Sequence, residues 1–386
     1  MKRVLFPERA NWQQAHQEIG FDYYNLPSRD GSMYWSEGVA YEFSLKQIEQ
    51  LEDASNELHQ MCLEVAGDMI QRGHYPEYFQ LPPAAIPLIE HSWKNQAPML
   101  YGRFDFAYDG QAIKMLEYNA DTPTGLLEAS VAQWHWIEQV ENIANRDQFN
   151  SIHEKLIERW KQLYPTRSRV HFAACQEAGR EDWGNLEYLM DTAFQAGLNV
   201  SELSMENIGW NGTAFVDLHQ QEIQHLFKLY PWEWIWEENF SQFLKPETEW
   251  IEPCWKMLLS NKALLIELWK RFPNHPLLLE THAYDAHAHY AGKWVRKPIL
   301  AREGANIHIL QNNVDCGAAS GSFYFDDYDK YGYVMQRWVK TPLHEGMLPT
   351  LGLWMVGDEC AGMSLREDVF DVIGNDAHFA VHYFVE

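Results

Sequence analysis

Apolar positions recur at helical spacing most clearly over 44–72, where Leu45, Ile48, Leu51, Leu58, Met61, Cys62, Val65 and Met69 fall mostly on one stripe. Ser44 stands three residues before Gln47, a capping-box pair, and Gly73 supplies a stop. The spacing predicts a helix over that span. Further helical patterns cover 126–143 and 149–163. Between the first and second helices, GRFDFAYDGQAIKMLEYN (102–119) alternates as two strands around the Asp109-Gly110 turn.

From Ser168 the pattern changes. RVHFAAC reads as a strand, 186–195 as a helix ending near Gly197, 213–218 as a strand and 221–229 as a helix. Such alternation predicts an α/β unit. The aromatic run YPWEWIWEENF follows. The last third holds a helix through ALLIELWKRF, then strands KWVRKPIL, IHIL, YVMQRWV and TLGLWMVGDECAGMSL, separated by turns. The expectation is an α/β (α+β) protein acting as one unit of three regions. These are 1–145 with the helices and the hairpin, 146–250 with the α/β unit, and 251–386 with the final strands.

The 386 residues are 46% hydrophobic and 14% aromatic, which fits a folded core and excludes a disordered chain. A net charge of -25 argues against a nucleic-acid partner. It favours cationic ligands, and it equally serves solubility alone. Cys62, Cys175, Cys254, Cys316 and Cys360 are scattered and form no C-x-x-C, so a reducing compartment is expected. MKRVLFPERANW lacks the apolar core of a signal peptide, and no apolar run is long enough to span a bilayer. A soluble cytoplasmic protein without membrane partners is expected.

The hairpin carries the first chemical signal. A three-residue Gly110-Gln111-Ala112 loop sets Asp105 opposite Glu117 and Arg103 opposite Asn119, all four on one face. The other face takes Phe104, Phe106, Tyr108, Leu116 and Tyr118. Directly opposed carboxylates, with Cβ atoms about 5 Å apart, repel. They need a cation, a shared proton or open water. With the Asn119 amide oxygen they make three hard oxygen donors, a set that suits Mg²⁺. Arg103 beside them suits phosphate oxygens. A solvent-facing hairpin with ordinary surface charges fits the same pattern.

Two lysine segments add to this. In SNKALL, Lys262 lies near a helix start, where the dipole disfavours a cation unless an anion is near. In VRKPILAREGANIHIL, Lys297 is held extended by Pro298, and the loop 301–306 contains Gly304. Such a loop can turn N–H groups toward phosphates; a plain hairpin turn reads the same way. There is no Walker A sequence and no G-x-S-x-G. THAYDAHAHYAGK offers His282, His287 and His289, a conceivable zinc set, but no cysteine or H-E-x-x-H stands nearby. A loop of surface histidines fits that segment better.

Taken together, RFDF…LEYNADTPT, NKALL, VRKPILAREGANI and LREDVF resemble the synthetase domain of glutathionylspermidine synthase, and most of all its stand-alone relatives, the acid–amine ligases. The resemblance spans nearly the whole chain. It implies an ATP-grasp fold with additional helical and α/β subdomains. It also implies an ATP- and Mg²⁺-dependent ligase that joins a carboxylic acid to an amine through an acyl phosphate, releasing ADP and phosphate. Asp105, Glu117 and Asn119 match the family's Mg²⁺ ligands, and Arg103 its arginine on the transferring phosphoryl group. Arg103, Phe104 and Asp105 form a nucleotide segment. Lys262 and Lys297 match the phosphate lysines, and Glu303 and Gly304 lie in the phosphate-covering loop. Gln336, Arg337, Trp338 and Val339 match the strand that meets adenine, and Arg366 a late nucleotide contact. Thr122 and Thr124 stand where the family has serines near the acid. Glu181 and Asp182 match an acidic pair that holds a polyamine, and Glu233 is a further acceptor-pocket candidate.

Two departures narrow the inference. The amidase domain of the bifunctional relatives is missing, so hydrolysis of glutathionylspermidine is not expected. Threonines replace serines, and the acidic-pair region differs in length, so glutathione and spermidine do not carry over as substrates. The expected partners are a small carboxylic acid and an amine, polyamine or peptide-like in kind. The alternative is a nucleotide-binding sensor or scaffold without ligase chemistry; Arg103 beside the ligand trio weighs toward chemistry.

Overall fold

The computed structural model describes every residue except positions 29, 142, 144, 246, 320, 323, 325, 375 and 386. Its centre is an eight-stranded mixed sheet. From edge to edge run β1 (Lys2–Leu5), β2 (Trp35–Ser44), His378–Val385, Glu359–Asp368, Leu348–Val356, β3 (Tyr101–Tyr108) and β4 (Ile113–Asn119). The short strand Arg146–Asp147 pairs with His378–Val385. The hairpin is therefore hydrogen-bonded to the C-terminal strands through β3, which pairs antiparallel with Leu348–Val356. On the other side of the sheet β2 pairs parallel with His378–Val385. The regions 1–145 and 251–386 are separate in sequence yet share this sheet.

The helix Leu45–Arg72 forms as its pattern predicts. Ser44 and Gln47 complete a reciprocal capping box, and Gly73 ends the helix in the left-handed conformation, φ 59°. Its buried stripe packs on the sheet face that presents Leu351, Leu353 and Met355. Trp354 and Val356 alternate to the opposite face and join a second core with Trp136 and Trp160.

The α/β unit is present, with one correction. Glu249–Ile251, His225–Leu229, Arg169–Ala174 and Asn199–Ser204 form a four-stranded parallel sheet, with helix Arg180–Gln195 in the unit. The segment 221–229 is thus not a helix; its second half is a strand. Leu226, Phe227, Lys228 and Leu229 are all buried, and a strand covered on both faces loses the alternation that would distinguish it from a helix. The 213–218 strand shrinks to Phe215–Val216, paired with Gly209–Trp210. The helix expected over 126–143 ends at Gln139 and contains a π turn, Glu128–Ala132. β2 and His378–Val385 carry no strand expectation in the sequence reading, although both lie in the central sheet.

A third, antiparallel sheet orders Thr281–Ala283, Tyr333–Arg337, Lys293–Pro298, His308–Gln311 and Val314–Ala318. Among the described residues no helix is long and apolar enough to cross a membrane.

Candidate active site

The hairpin has the expected pairing at its chemical end: Arg103 faces Asn119 and Asp105 faces Glu117. Two departures from the expected geometry cancel. The loop spans four residues, with Tyr108 paired to Ile113, and a bulge between the Phe106–Met115 and Asp105–Glu117 pairs restores the register. The bulge also moves Leu116 off the core face. Its carbonyl accepts from Lys297, while Met115 takes the buried position. Phe104 is fully buried and stacks on Tyr118 at 3.8 Å between ring centroids, so its side chain belongs to the core rather than to a ligand cavity.

Arg103 and Asp105 lie two apart on β3, and their side chains close a bidentate pair at 2.7 and 3.1 Å. The third guanidinium nitrogen donates to the Thr124 carbonyl at 2.8 Å. Gly352 on the neighbouring strand permits this arrangement. A Cβ there would lie 2.9 Å from Arg103 Cδ and 2.5 Å from Ser364 Oγ. Lys262 Nζ pairs with Glu117 at 3.2 Å and donates to the Ala301 carbonyl at 2.7 Å. Lys297 Nζ donates to Gln336 Oε1 at 2.7 Å. Burial pushes the Lys297 ammonium down to about 8, against the opposing pull of Glu117. Burial would raise the Glu117 carboxyl, but Lys262, Lys297 and Arg103 outweigh it and hold Glu117 below its ordinary value.

Two adjoining cavities open on these groups and share Asp105, Glu117, Lys262, Arg302 and Gly304. The larger, about 470 Å³, is bordered by Lys297 and the segment Gln336, Arg337, Trp338 and Val339. Arg337 also turns outward, donating to the Ala291 carbonyl at 2.6 Å. The smaller, about 260 Å³, receives Asn119, Thr122, Thr124, Asp182, Glu233, Glu303 and Arg366. Arg366 therefore borders the second cavity rather than the one beside Gln336. Its guanidinium lies 5.0 Å from the Tyr34 ring centroid. Gly304, at φ +70°, seats the loop against Val372 and Ile373, where a Cβ would meet Val372 Cγ1 at 2.5 Å.

The smaller cavity is rich in carboxyls. Glu181 borders it indirectly, accepting from Thr124 Oγ1 at 3.1 Å. Burial, then Glu181 and Glu303, push the Asp182 carboxyl up to about 6, with Arg302 opposing. Glu303 is likewise raised, by burial and then by Glu181. Behind them Glu128, in the π turn, accepts from Tyr34 and Tyr23 and rises to about 7 through burial and Glu181.

Asp105 and Glu117 with the Asn119 amide offer hard oxygen donors toward a shared cavity, a set that fits Mg²⁺. In the structure Arg103 and Lys262 neutralise the two carboxylates. Among the described residues no three His, Cys, Asp or Glu side chains converge as a metal site. His282 instead lies 3.1 Å from Glu280, and His287 and His289 are exposed. Sequence reasoning missed Arg302 and Glu128. Arg302 stood in the loop motif ILAREGAN, one position before Glu303, so a signal was available; Glu128 had none.

A family model described as glutathionylspermidine synthase preATP-grasp matches residues 3–385. The chain belongs to the glutathionylspermidine synthase family. A family member from Haemophilus influenzae, described as "Putative acid--amine ligase", is 52% identical over 393 residues and is covered along its whole length, as is this chain. Trypanothione synthetase of Crithidia fasciculata is 26% identical, over 96% of this chain and 61% of its own length. The bifunctional glutathionylspermidine synthetase/amidase of Escherichia coli is 25% identical, over 85% of this chain and 56% of its own. The chain thus spans little more than half of these two longer relatives. A glutathione synthetase-like effector of Globodera pallida, in apo form, shares the fold with TM-score 0.60, at 9% identity and 97% and 96% coverage. The architecture is of the ATP-grasp type, and the enzymes named among these family members are C–N ligases.

Proposed function

We propose that this enzyme joins a small carboxylic acid to an amine at the expense of ATP, through an acyl phosphate. The observation that carries the reading is the convergence of Arg103, Asp105, Glu117, Lys262 and Lys297 on two joined cavities of opposite character. Lys297 and Lys262 hold nucleotide phosphates in the larger cavity, beside Gln336, Arg337, Trp338 and Val339, which border the base. Asp105, Glu117 and Asn119 would hold Mg²⁺, which supplies charge neutralisation on phosphate oxygens when bound.

The acid lies in the smaller cavity, near Thr122 and Thr124. Its carboxylate oxygen attacks the terminal phosphorus, a P–O bond to the acid forms, and the P–O bond to ADP breaks. Arg103 is oriented by Asp105 and the Thr124 carbonyl to stabilise the transferring group. The acceptor ammonium first gives a proton to solvent or a neighbouring carboxylate, and its neutral nitrogen then attacks the acyl carbon. The C–N bond forms, the C–O bond to phosphate breaks with its electron pair on phosphate, and the nitrogen passes its second proton to the departing phosphate. Carboxylate itself is a poor electrophile because oxide would have to leave; phosphate leaves readily. Asp182, Glu181 and Glu233 favour a cationic amine by charge. The loop 301–306, with Glu303 and Gly304, covers the junction and limits hydrolysis of the acyl phosphate. The five free cysteines favour work in a reducing compartment such as the cytoplasm.

The test is a screen of acid–amine pairs for ADP release, with mass spectrometry of the product. An amide of the expected mass is the supporting outcome. ATP binding without ADP release from any pair would overturn the ligase reading in favour of a nucleotide-binding sensor or scaffold.

A further inference from the structure

Arg302 stands where the two cavities meet. Its Nη2 donates to Glu233 Oε1 at 2.8 Å and its Nη1 to Thr122 Oγ1 at 2.6 Å. The guanidinium carbon lies 5.8 Å from the Trp234 ring centroid. The two side chains of the ion pair are only 23% and 15% exposed. The Nε of Arg302 is buried and has no hydrogen-bond partner among the described residues. Glu233 belongs to the short helix Trp232–Glu237, whereas Arg302 belongs to the loop 301–306, so the pair ties together two distant chain segments.

Removing one partner from such a pair leaves a poorly solvated charge, which is costly. A ligand that brings the missing charge removes that cost. The ligase reading, on which this inference rests, requires two ligands of opposite sign in this cavity. The acid and its acyl phosphate are anionic, and the acceptor arrives as an ammonium ion. Arg302 already has an unsatisfied donor, and Nε with Nη2 forms the fork that suits a carboxylate or phosphate.

We propose that the two substrates split the Arg302–Glu233 ion pair between them: an oxygen of the acid takes Arg302, and the acceptor ammonium takes Glu233. The first ligand bears the cost of opening the pair. The second finds its counter-charge exposed and binds more tightly. By linkage the effect is reciprocal, so the acid recruits the amine as strongly as the amine recruits the acid. A cationic acceptor that arrives alone meets a Glu233 already neutralised.

The test is calorimetry on the full chain without ATP, with spermidine as the cationic probe and inorganic phosphate as the anionic one. Phosphate tightens spermidine binding to the wild type by about fivefold or more, within the usual range of coupling between sites. Arg302→Ala tightens spermidine by about tenfold in the absence of phosphate and abolishes the effect of phosphate. Glu233→Gln weakens spermidine and tightens phosphate. Thermal unfolding checks that both variants fold, and if Arg302→Ala does not, Glu233→Gln decides alone. Spermidine affinity unchanged or weakened in folded Arg302→Ala overturns the proposal. So does phosphate affinity unchanged in Glu233→Gln, or spermidine that binds none of the three proteins. Coupling without ADP release sinks the ligase reading and leaves the charge exchange standing; ADP release without coupling does the reverse.

Discussion

The cavity beside Lys297 and Gln336 and the cavity beside Thr122 and Glu233 share a floor of Asp105, Glu117, Lys262 and Arg302, yet burial acts on opposite charges in them. In the first, burial weakens an ammonium, Lys297, until it titrates at about 8. In the second, burial and mutual repulsion weaken carboxyls, Asp182 to about 6. On the proposed reading, each cavity takes a ligand of the sign that relieves it: phosphate in one, ammonium in the other. The hairpin is the partition. Its Asp105–Glu117 pair is compensated from both sides, by Arg103 and by Lys262.

The largest expected effect comes from breaking the partition. Asp105→Ala removes a hard oxygen donor and the clamp on Arg103, and ADP formation should fall by about 10²–10³ or more. Retained turnover with a native circular dichroism spectrum would refute the partition's role. Lys297→Ala should act on one cavity only. ATP affinity should drop by about 1.5–3 kcal/mol, the range for a hydrogen bond to a charged group, while amine affinity stays unchanged by calorimetry. Equal losses on both sides would merge the two cavities into one functional site.

The pH dependence sharpens the contrast. Asp182 is neutral below about 6 and charged above it, while an aliphatic ammonium keeps its charge. Amine affinity should therefore rise several-fold between pH 5 and pH 7, about the size of a surface-exposed to half-buried ion pair. Asp182→Asn should flatten that step, and a step that persists in the variant would assign it to another carboxyl. The smallest effect is expected for Thr124→Val, which frees Glu181 from its hydroxyl donor. One part-buried hydroxyl-to-carboxylate hydrogen bond is at stake, so the amine KM should change by about tenfold or less with little change in kcat.

Much of this site was legible in the chain. The period-two pattern of RFDF and LEYN, with a short turn, put Asp105 opposite Glu117, and the structure pairs them. That success rested on compensation: the loop is one residue longer than expected, and the bulge restores the register. Alternation depends on local backbone geometry, so it survives in sequence; a bulge leaves no compositional mark. The helix Leu45–Arg72 was legible to its caps for the same reason. His225–Leu229 was not, because a strand buried on both faces carries no periodic signal.

Sequence alone determined which residues carry charge on one face of the hairpin, where the longest helix starts and stops, and the order of the lysine and loop segments. These are short-range matters of backbone period, capping and turn chemistry. Tertiary structure alone decided that β3 pairs with Leu348–Val356, that Gly352 makes room for Arg103, that Arg366 faces Tyr34, and that Arg302 meets Glu233 and Thr122. Each of these joins segments dozens to hundreds of residues apart. Such contacts are set by packing of whole sheets against one another, a constraint that no local pattern along the chain encodes.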